Sequence, residues 1–365
     1  MTLKPKILDR YIVKKFLMTF LIALLIVILL VIIFDISEKI EDFVKHEVPL
    51  RSIVVDYYIN FIPYFINMFS PLFVFITVIF FTSRLAANSE IIAILSGGIS
   101  YHRLMVPYMF SAALIALLSL VLNLYIIPRS NASRVEFETK YTDQAYTKYS
   151  RNNVHYQIAP GQFVYVQTFS AYNNTAYKFT LETIEENKLV SKLTAESATW
   201  DSTMDGWHLR RYFIRDYASK GLEDYVRCGE QLDTVIALKL SDFYRNQKTV
   251  ETLTRTELNA LIDTQNMRGD ANVMYAQIEK NKRYTLPFSA FILTIMAVSL
   301  TSRKKRGGIG FNLALGIGLA FLYILFLRFS EMFVFTGTLP AALAMWLPNI
   351  VYTMIAAVLY RLAPK

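Results

Sequence analysis

The sequence has one cysteine, Cys228, so the chain cannot form an internal disulfide. Its four histidines, at positions 46, 102, 155 and 208, lack the spacing of a zinc site. The sequence has no Walker loop for nucleotide phosphates, no nucleophile elbow and no metalloprotease helix. These absences argue against a metal site and against enzymatic chemistry, and they leave the chain without a nucleotide-hydrolysing motor of its own.

Charged residues are absent from six long apolar runs, although the chain as a whole is 54% hydrophobic with a mean hydropathy of +0.34. A soluble protein would disperse its apolar residues at helix or strand period. A helix needs about 20 apolar residues to cross roughly 30 Å of hydrocarbon, so each run predicts a transmembrane helix. The runs are 16–34, 57–83, 104–127, 284–302, 307–327 and 341–360.

The near absence of ionisable residues from these runs also argues against an ion-coupled carrier, in which such residues mark the transport pathway. If the protein does vectorial work, the energy is expected to come from a separate subunit.

Lysine and arginine are concentrated in short segments beside alternate ends of the runs. The positive-inside rule assigns such segments to the cytoplasm, so both termini are expected there and residues 128–283 on the opposite side. This placement also accounts for the net charge of +9, and nucleic-acid binding is not expected. The basic residues are Lys4, Lys6, Arg10, Lys14, Lys15, Arg84, Arg103, Arg303, Lys304, Lys305, Arg306, Arg361 and Lys365.

Residues 128–283 interrupt the hydrophobic pattern and predict an extracytoplasmic all-β domain, a sandwich or a partly open barrel. Stretches 162–167, 177–181 and 207–214 alternate apolar and polar residues or are rich in aromatic and β-branched types, and turn signals separate them. Thr254 and Glu257 form a capping box, which predicts a helix leading back to the membrane. The fold class is therefore an α-helical membrane protein of three plus three helices: 1–127, the inserted domain 128–283, and 284–365.

The loop that follows the second run, about 84–98, favours a short helix ended by Gly97 or Gly98. Glu90 is its one acid. Two interpretations are open: an interfacial helix with a solvated glutamate, or a coupling helix that inserts into a groove on an ATPase.

Three features together resemble the LptF/LptG permeases of lipopolysaccharide export. They are Leu8–Ile12 before the first run, Ser89–Ile91 followed by Gly97 and Gly98, and the order of three helices, a domain and three helices. The Leu-Asp-Arg-Tyr opening resembles LptG more than LptF.

This resemblance implies a permease in the bacterial inner membrane, with both termini cytoplasmic and the large domain a periplasmic β-jellyroll. It implies pairing with a second LptF/LptG-type permease, and an LptB-type ATPase dimer that uses ATP and Mg. Lipopolysaccharide would pass to LptC/LptA-type bridge proteins, and no cofactor is expected in this chain. The residues that would couple to the ATPase are Arg84, Ser89, Glu90 and Ile91.

Gly310, Ala314 and Gly318 form a stripe of small residues in the fifth run, which favours close helix packing, either within the chain or at a seam between two permeases. Lys39, Arg129 and Arg134 are candidate contacts for the lipid headgroup. The outer end of the first run departs from the family, because acids outnumber lysines there where LptG-like members carry lysines; these acids are Asp35, Glu38, Glu41 and Asp42.

Two other functions stay open at this stage. One is a mechanotransmission-type ABC permease acting on lipoproteins or peptides, which typically has four spans. The other is a membrane scaffold or sensor that recruits partners through its outer domain.

Overall fold

The computed structural model describes residues 7–141, 150–217, 223–240, 243, 247–270, 272–302 and 308–363. The chain divides into two compact units. The helical unit comprises Met1–Arg134, Glu251–Arg255 and Gln277–Lys365, and the β unit comprises Val135–Val250 and Thr256–Ala276.

Within the described residues, six helices are long and apolar enough to cross a membrane, which confirms the six predicted spans. Three shorter helices accompany them. The helices are α1 (Ile7–Lys45), α2 (Leu50–Ala87), α3 (Glu90–Ser96), α4 (Tyr101–Tyr141), α5 (Gln247–Glu251), α6 (Arg255–Met267), α7 (Val273–Thr301), α8 (Gly308–Phe335) and α9 (Ala341–Leu362).

α1 and α4 extend farthest past the C-terminal ends of the apolar runs that predict them. α1 continues to Lys45 because Asp35 and Lys39 pair one turn apart and Phe43 turns inward. α4 continues through Pro128, which lacks an amide hydrogen, after a π-helical segment at Leu122–Ile126 that shifts the hydrogen-bond register. Proline therefore does not end this helix.

The core of the helical unit consists of aromatic and branched side chains from α1, α2, α4 and α7, among them Phe16, Phe75, Tyr108 and Met296. Several buried polar side chains in the helical unit are paired, as a low-dielectric interior favours. Asn312, for example, donates to Ser83 Oγ at 3.2 Å. α1 and α8 bury the smallest shares of their apolar spans, 17% and 28%, and leave the most surface for lipid or another chain.

The β unit contains one antiparallel sheet whose six strands pair in chain order, so every connection joins neighbours. This confirms an all-β domain inserted between the third and fourth spans. Its core is centred on Trp207, whose Nε1 donates to the Leu238 carbonyl at 2.8 Å. The strands are β1 (Ser150–Ala159), β2 (Gln162–Ser170), β3 (Thr175–Glu185), β4 (Lys188–Asp201), β5 (Gly206–Asp216) and β6 (Tyr225–Thr234).

Two hairpin turns use residues with positive φ, and the predicted capping box stands at the start of a helix. Gly161 and Asp205 have positive φ angles of 75° and 49° in the hairpins that precede β2 and β5. α6 begins directly after Thr254, the first residue of the predicted capping box.

Candidate coupling helix and a charged cavity

The short helix α3 lies between the second and third spans, and both of its ends are set by backbone geometry. Ser89 takes the left-handed conformation (φ 61°), which turns the chain out of α2 and into α3. Gly98 has a φ of 83° at the other end and follows the last helical turn, where its amide donates to the Leu95 carbonyl. The helix predicted in this loop is present and has the predicted C-terminal glycines.

The Glu90 carboxylate joins the two sequence motifs that carry the family resemblance. Tyr11 of α1 donates its hydroxyl to Glu90 Oε2 at 3.2 Å, and Asn88 donates to Oε1 at 3.2 Å. Glu90 is partly exposed. An ionised carboxylate has about four acceptor positions, so these two bonds leave room for an incoming cationic donor.

The apolar residues of α3 divide between the core and the surface. Ile91 is 1% exposed and belongs to the core cluster of the helical unit, whereas Ile92 is 53% exposed. Arg84 and Ser89 are exposed. Ile91 thus anchors α3 to the bundle, and the surface available to a partner consists of Ile92 with its polar neighbours.

A second link fixes α1 against the start of α4. Arg103 donates to Asp9 Oδ2 at 2.5 Å; the Asp9 side chain is largely shielded, and the Arg103 side chain is about one-third exposed. Sequence reasoning missed the roles of Asp9, Tyr11, Asn88 and Arg103. The signal was in the Leu8–Ile12 motif, which contains both Asp9 and Tyr11.

Lys39 lies inside the helical unit and is 8% exposed. Its ammonium pairs with Asp35 at 2.9 Å, donates to the Tyr57 hydroxyl, and lies 4.5 Å from the centre of the Tyr57 ring. Asp35 also accepts a hydrogen bond from Tyr58 at 3.1 Å. In this arrangement Lys39 holds α1 to α2.

The two candidate arginines of α4 have different surroundings. Arg129 is exposed. Arg134 is 7% exposed, and its guanidinium lies 4.7 Å from the centre of the Tyr64 ring. Cation–π packing of this kind shields a charge without neutralising it. Of the two, Arg129 is the one accessible at the surface.

Gly310, Ala314 and Gly318 lie on the exposed side of α8. A Cβ atom placed on Gly310 or Gly318 would meet nothing within 4 Å. Gly316 is different, because a Cβ there would come within 2.3 Å of the Ile79 side chain on α2. Gly316 is therefore the glycine at which α8 packs closely against α2, whereas the stripe of Gly310, Ala314 and Gly318 remains exposed.

The helical unit also contains a charged cavity that sequence reasoning missed. It encloses about 780 Å³ of space not filled by protein atoms, part of it open, between α2, α4, α7, α8 and the segment at Glu251. Three cations on its wall are paired. Arg283 binds Glu279 at 2.8 Å, and Glu331 accepts from Arg328 at 3.2 Å and lies 3.8 Å from Lys282.

Glu251 is a buried acid of this wall. It is 8% exposed, and burial, followed by repulsion from Glu279, raises its pKa from 4.5 to about 7. A raised carboxyl pKa means that the folded state opposes ionisation. Glu251 therefore lowers the stability of the fold as the pH rises from about 4.5 through 7.

Replacing Glu251 with glutamine is expected to raise the melting temperature of the purified chain at pH 8 and to change it little at pH 4.5. The substitution removes an ionisation penalty of up to about 3 kcal/mol at the higher pH only. Melting curves in detergent at both pH values measure this effect. The exposed Glu41 on α1 provides the control, since Glu41→Gln should give the same small shift at both. An equal rise in melting temperature for Glu251→Gln at pH 4.5 and pH 8 would show that the folded state does not oppose ionisation of Glu251.

The chain matches the family model "Lipopolysaccharide export system permease LptF/LptG" over residues 10–362, which is nearly its whole length. A search of curated proteins gives no significant match.

Proposed function

The chain belongs to the LptF/LptG family of lipopolysaccharide export permeases, and on that premise we propose that it moves lipopolysaccharide out of the membrane under the drive of a separate ATPase. It is a multi-pass inner-membrane protein of a transporter family. The position of Glu90 supports coupling to a separate ATPase. Glu90 is a partly exposed carboxylate on a short helix between two spans, and it accepts hydrogen bonds from Tyr11 and Asn88.

The proposed orientation places both termini and α3 in the cytoplasm and the β unit in the periplasm. Basic residues near the bundle end that carries α3 support it, including Arg10, Lys14, Arg84 and Arg103. The basic loop Arg303–Arg306 lies outside the described residues.

The proposed coupling works through contact with an LptB-type ATPase dimer, which would bind ATP and Mg. A basic residue of the ATPase would meet Glu90, and Ile92 would enter an apolar groove beside it. Because Ile91 and the bond from Tyr11 tie α3 to the bundle, movement of α3 would be passed on to α1. No nucleotide chemistry is required of this chain.

The proposed partner within the membrane is a second LptF/LptG-type permease. Support comes from the sparse burial of α1 and α8 and from the open stripe at Gly310, Ala314 and Gly318. Lipid would enter between the two permeases, pass to the β unit and continue to LptC/LptA-type bridge proteins. Arg129 is the proposed headgroup contact in this conformation, since Lys39 and Arg134 are buried.

Purification of the tagged chain in mild detergent, followed by mass spectrometry of proteins and lipids, tests the proposed function. We expect an ATPase, a second permease and lipopolysaccharide. Recovery of the chain with lipoproteins or peptides would favour a mechanotransmission-type permease, which the six spans disfavour. Recovery without an ATPase or lipid would favour a scaffold or sensor.

The orientation has its own test, in which a membrane-impermeant maleimide is applied to intact cells with a permeable outer membrane. Native Cys228, exposed on β6, is expected to react. In a Cys228→Ser background, a cysteine replacing the exposed Asn88 should react only after the inner membrane is opened. The reverse labelling pattern would invert the proposed topology.

A further inference from the structure

The charged cavity of the helical unit has two chemically different parts. Near Glu251 its wall carries the ion pairs described above and the Tyr64 ring. Elsewhere the wall is apolar, with Phe69, Ile127, Leu286 and Leu327 among its residues. A wall with a charged part and an apolar part suits an amphiphile.

One side chain in this wall lacks the partner that its burial demands. Asn131 of α4 is 0% exposed, and neither its Oδ1 nor its Nδ2 has a hydrogen-bond partner among the described residues. Two other asparagines of the wall are satisfied, since Asn67 and Asn123 bond to each other at 2.9 Å. Buried amides in folded proteins are almost always paired, so an unpaired one facing a cavity points to an occupant.

The Glu251 carboxylate indicates what the head of that occupant can offer. Arg283 pairs with Glu279, and Lys282 and Arg328 share Glu331. The Glu251 carboxylate has no ion pair or side-chain hydrogen bond within the described part of the chain, and Arg134 is the remaining cation whose charge acts on it. An ammonium group with hydrogen-bond donors would satisfy both Glu251 and the Asn131 oxygen.

We propose that this cavity binds an amphiphile whose head carries a primary ammonium group, with Asn131 and Glu251 accepting its hydrogen bonds and the apolar wall holding the start of an acyl chain. Phosphatidylethanolamine has this chemistry, and its phosphate could lie beside Arg328, which is about half exposed at the cavity. The inference does not depend on the transport function, because it concerns a cavity enclosed by one chain.

The test compares three lipids that differ at the head. The full-length chain is placed in phosphatidylcholine nanodiscs that contain equal fractions of phosphatidylethanolamine and phosphatidylglycerol, and retained lipid is measured by native mass spectrometry after release. Phosphatidylcholine has the same charge but no N–H donor. We expect phosphatidylethanolamine to be enriched about tenfold over both others, the factor that one hydrogen bond to a charged group supplies. The mass of the lipid retained from cells separates a phospholipid from a lipopolysaccharide that carries an ammonium substituent.

Two variants and a matched control make the result specific. Asn131→Leu should abolish the enrichment without lowering the melting temperature, because it removes an unpaired amide, and Glu251→Gln should reduce the enrichment. Asn312→Leu is the control, since Asn312 is equally a buried asparagine but lies outside the cavity and is bonded to Ser83. It should lower the melting temperature and keep the enrichment. Equal retention of the three lipids, or unchanged enrichment in Asn131→Leu, would mean that the cavity holds only water and would overturn the proposal.

Discussion

Replacement of Glu90 with lysine is expected to abolish lipopolysaccharide transport and to weaken binding of the ATPase by roughly a hundredfold, while the chain still inserts and folds. Removing one partner of a buried charge pair costs about 2–5 kcal/mol, and reversing its charge adds repulsion. The fold should tolerate the change because Glu90 is partly exposed and its two bonds, from Tyr11 and Asn88, lie at the surface. Pull-down of the ATPase and transport in reconstituted vesicles measure the two effects.

Two further variants separate charge from local structure. Glu90→Gln keeps an acceptor for Tyr11 but removes the charge, so an intermediate loss is expected. Glu41→Lys makes the same charge reversal at the far end of α1, where Glu41 is exposed, and should leave both readouts near the parent values. If Glu90→Lys binds the ATPase as well as Glu41→Lys does, α3 is not the coupling element.

Two glycines of α8 are expected to respond oppositely to leucine. Gly318→Leu should leave the isolated chain as stable as before, because nothing lies within 4 Å of the added carbon and leucine favours a helix more than glycine does. It should greatly reduce recovery of the second permease, since a large side chain prevents close approach at the stripe. Co-purification of the two permeases at fixed expression measures this.

Gly316→Leu should instead destabilise the chain itself. Its Cβ would come within 2.3 Å of Ile79, which is fully buried, and overpacking of this kind typically costs about 1–3 kcal/mol. The melting temperature of the isolated chain should fall for Gly316→Leu and not for Gly318→Leu. A fall in both, with permease pairing intact, would place the stripe inside the fold and remove the support for a seam at α8.

The spans and the short helix α3 could be predicted from the sequence because their signals are local. Uncharged runs of about twenty residues predict membrane helices directly. Ser89, Glu90, Gly97 and Gly98 lie within ten residues of one another, so a short helix with its acid could be placed before its contacts were known. The bond from Tyr11 could not, because 79 residues separate it from Glu90.

The charged cavity escaped prediction because its acids come from distant segments. Glu251 and Glu279 belong to α5 and α7, and only packing of the helical unit brings them to one wall. Glu279 lies a few residues before an apolar run and Glu251 lies in a polar stretch, so neither acid stands out in the sequence. Lys39 was predicted as a headgroup contact from its location alone, although Asp35 four residues earlier is its partner.

The proposed coupling requires direct contact between an ATPase and α3, and cross-linking from that helix tests this contact most directly. Ile92 is the position to use, because it is the exposed isoleucine next to the buried Ile91. A photoreactive amino acid at Ile92 in the intact complex is expected to give one main adduct with the ATPase, and the same group at the exposed Val44 on α1 to give none. Adducts from Ile92 with lipid alone would contradict the claim.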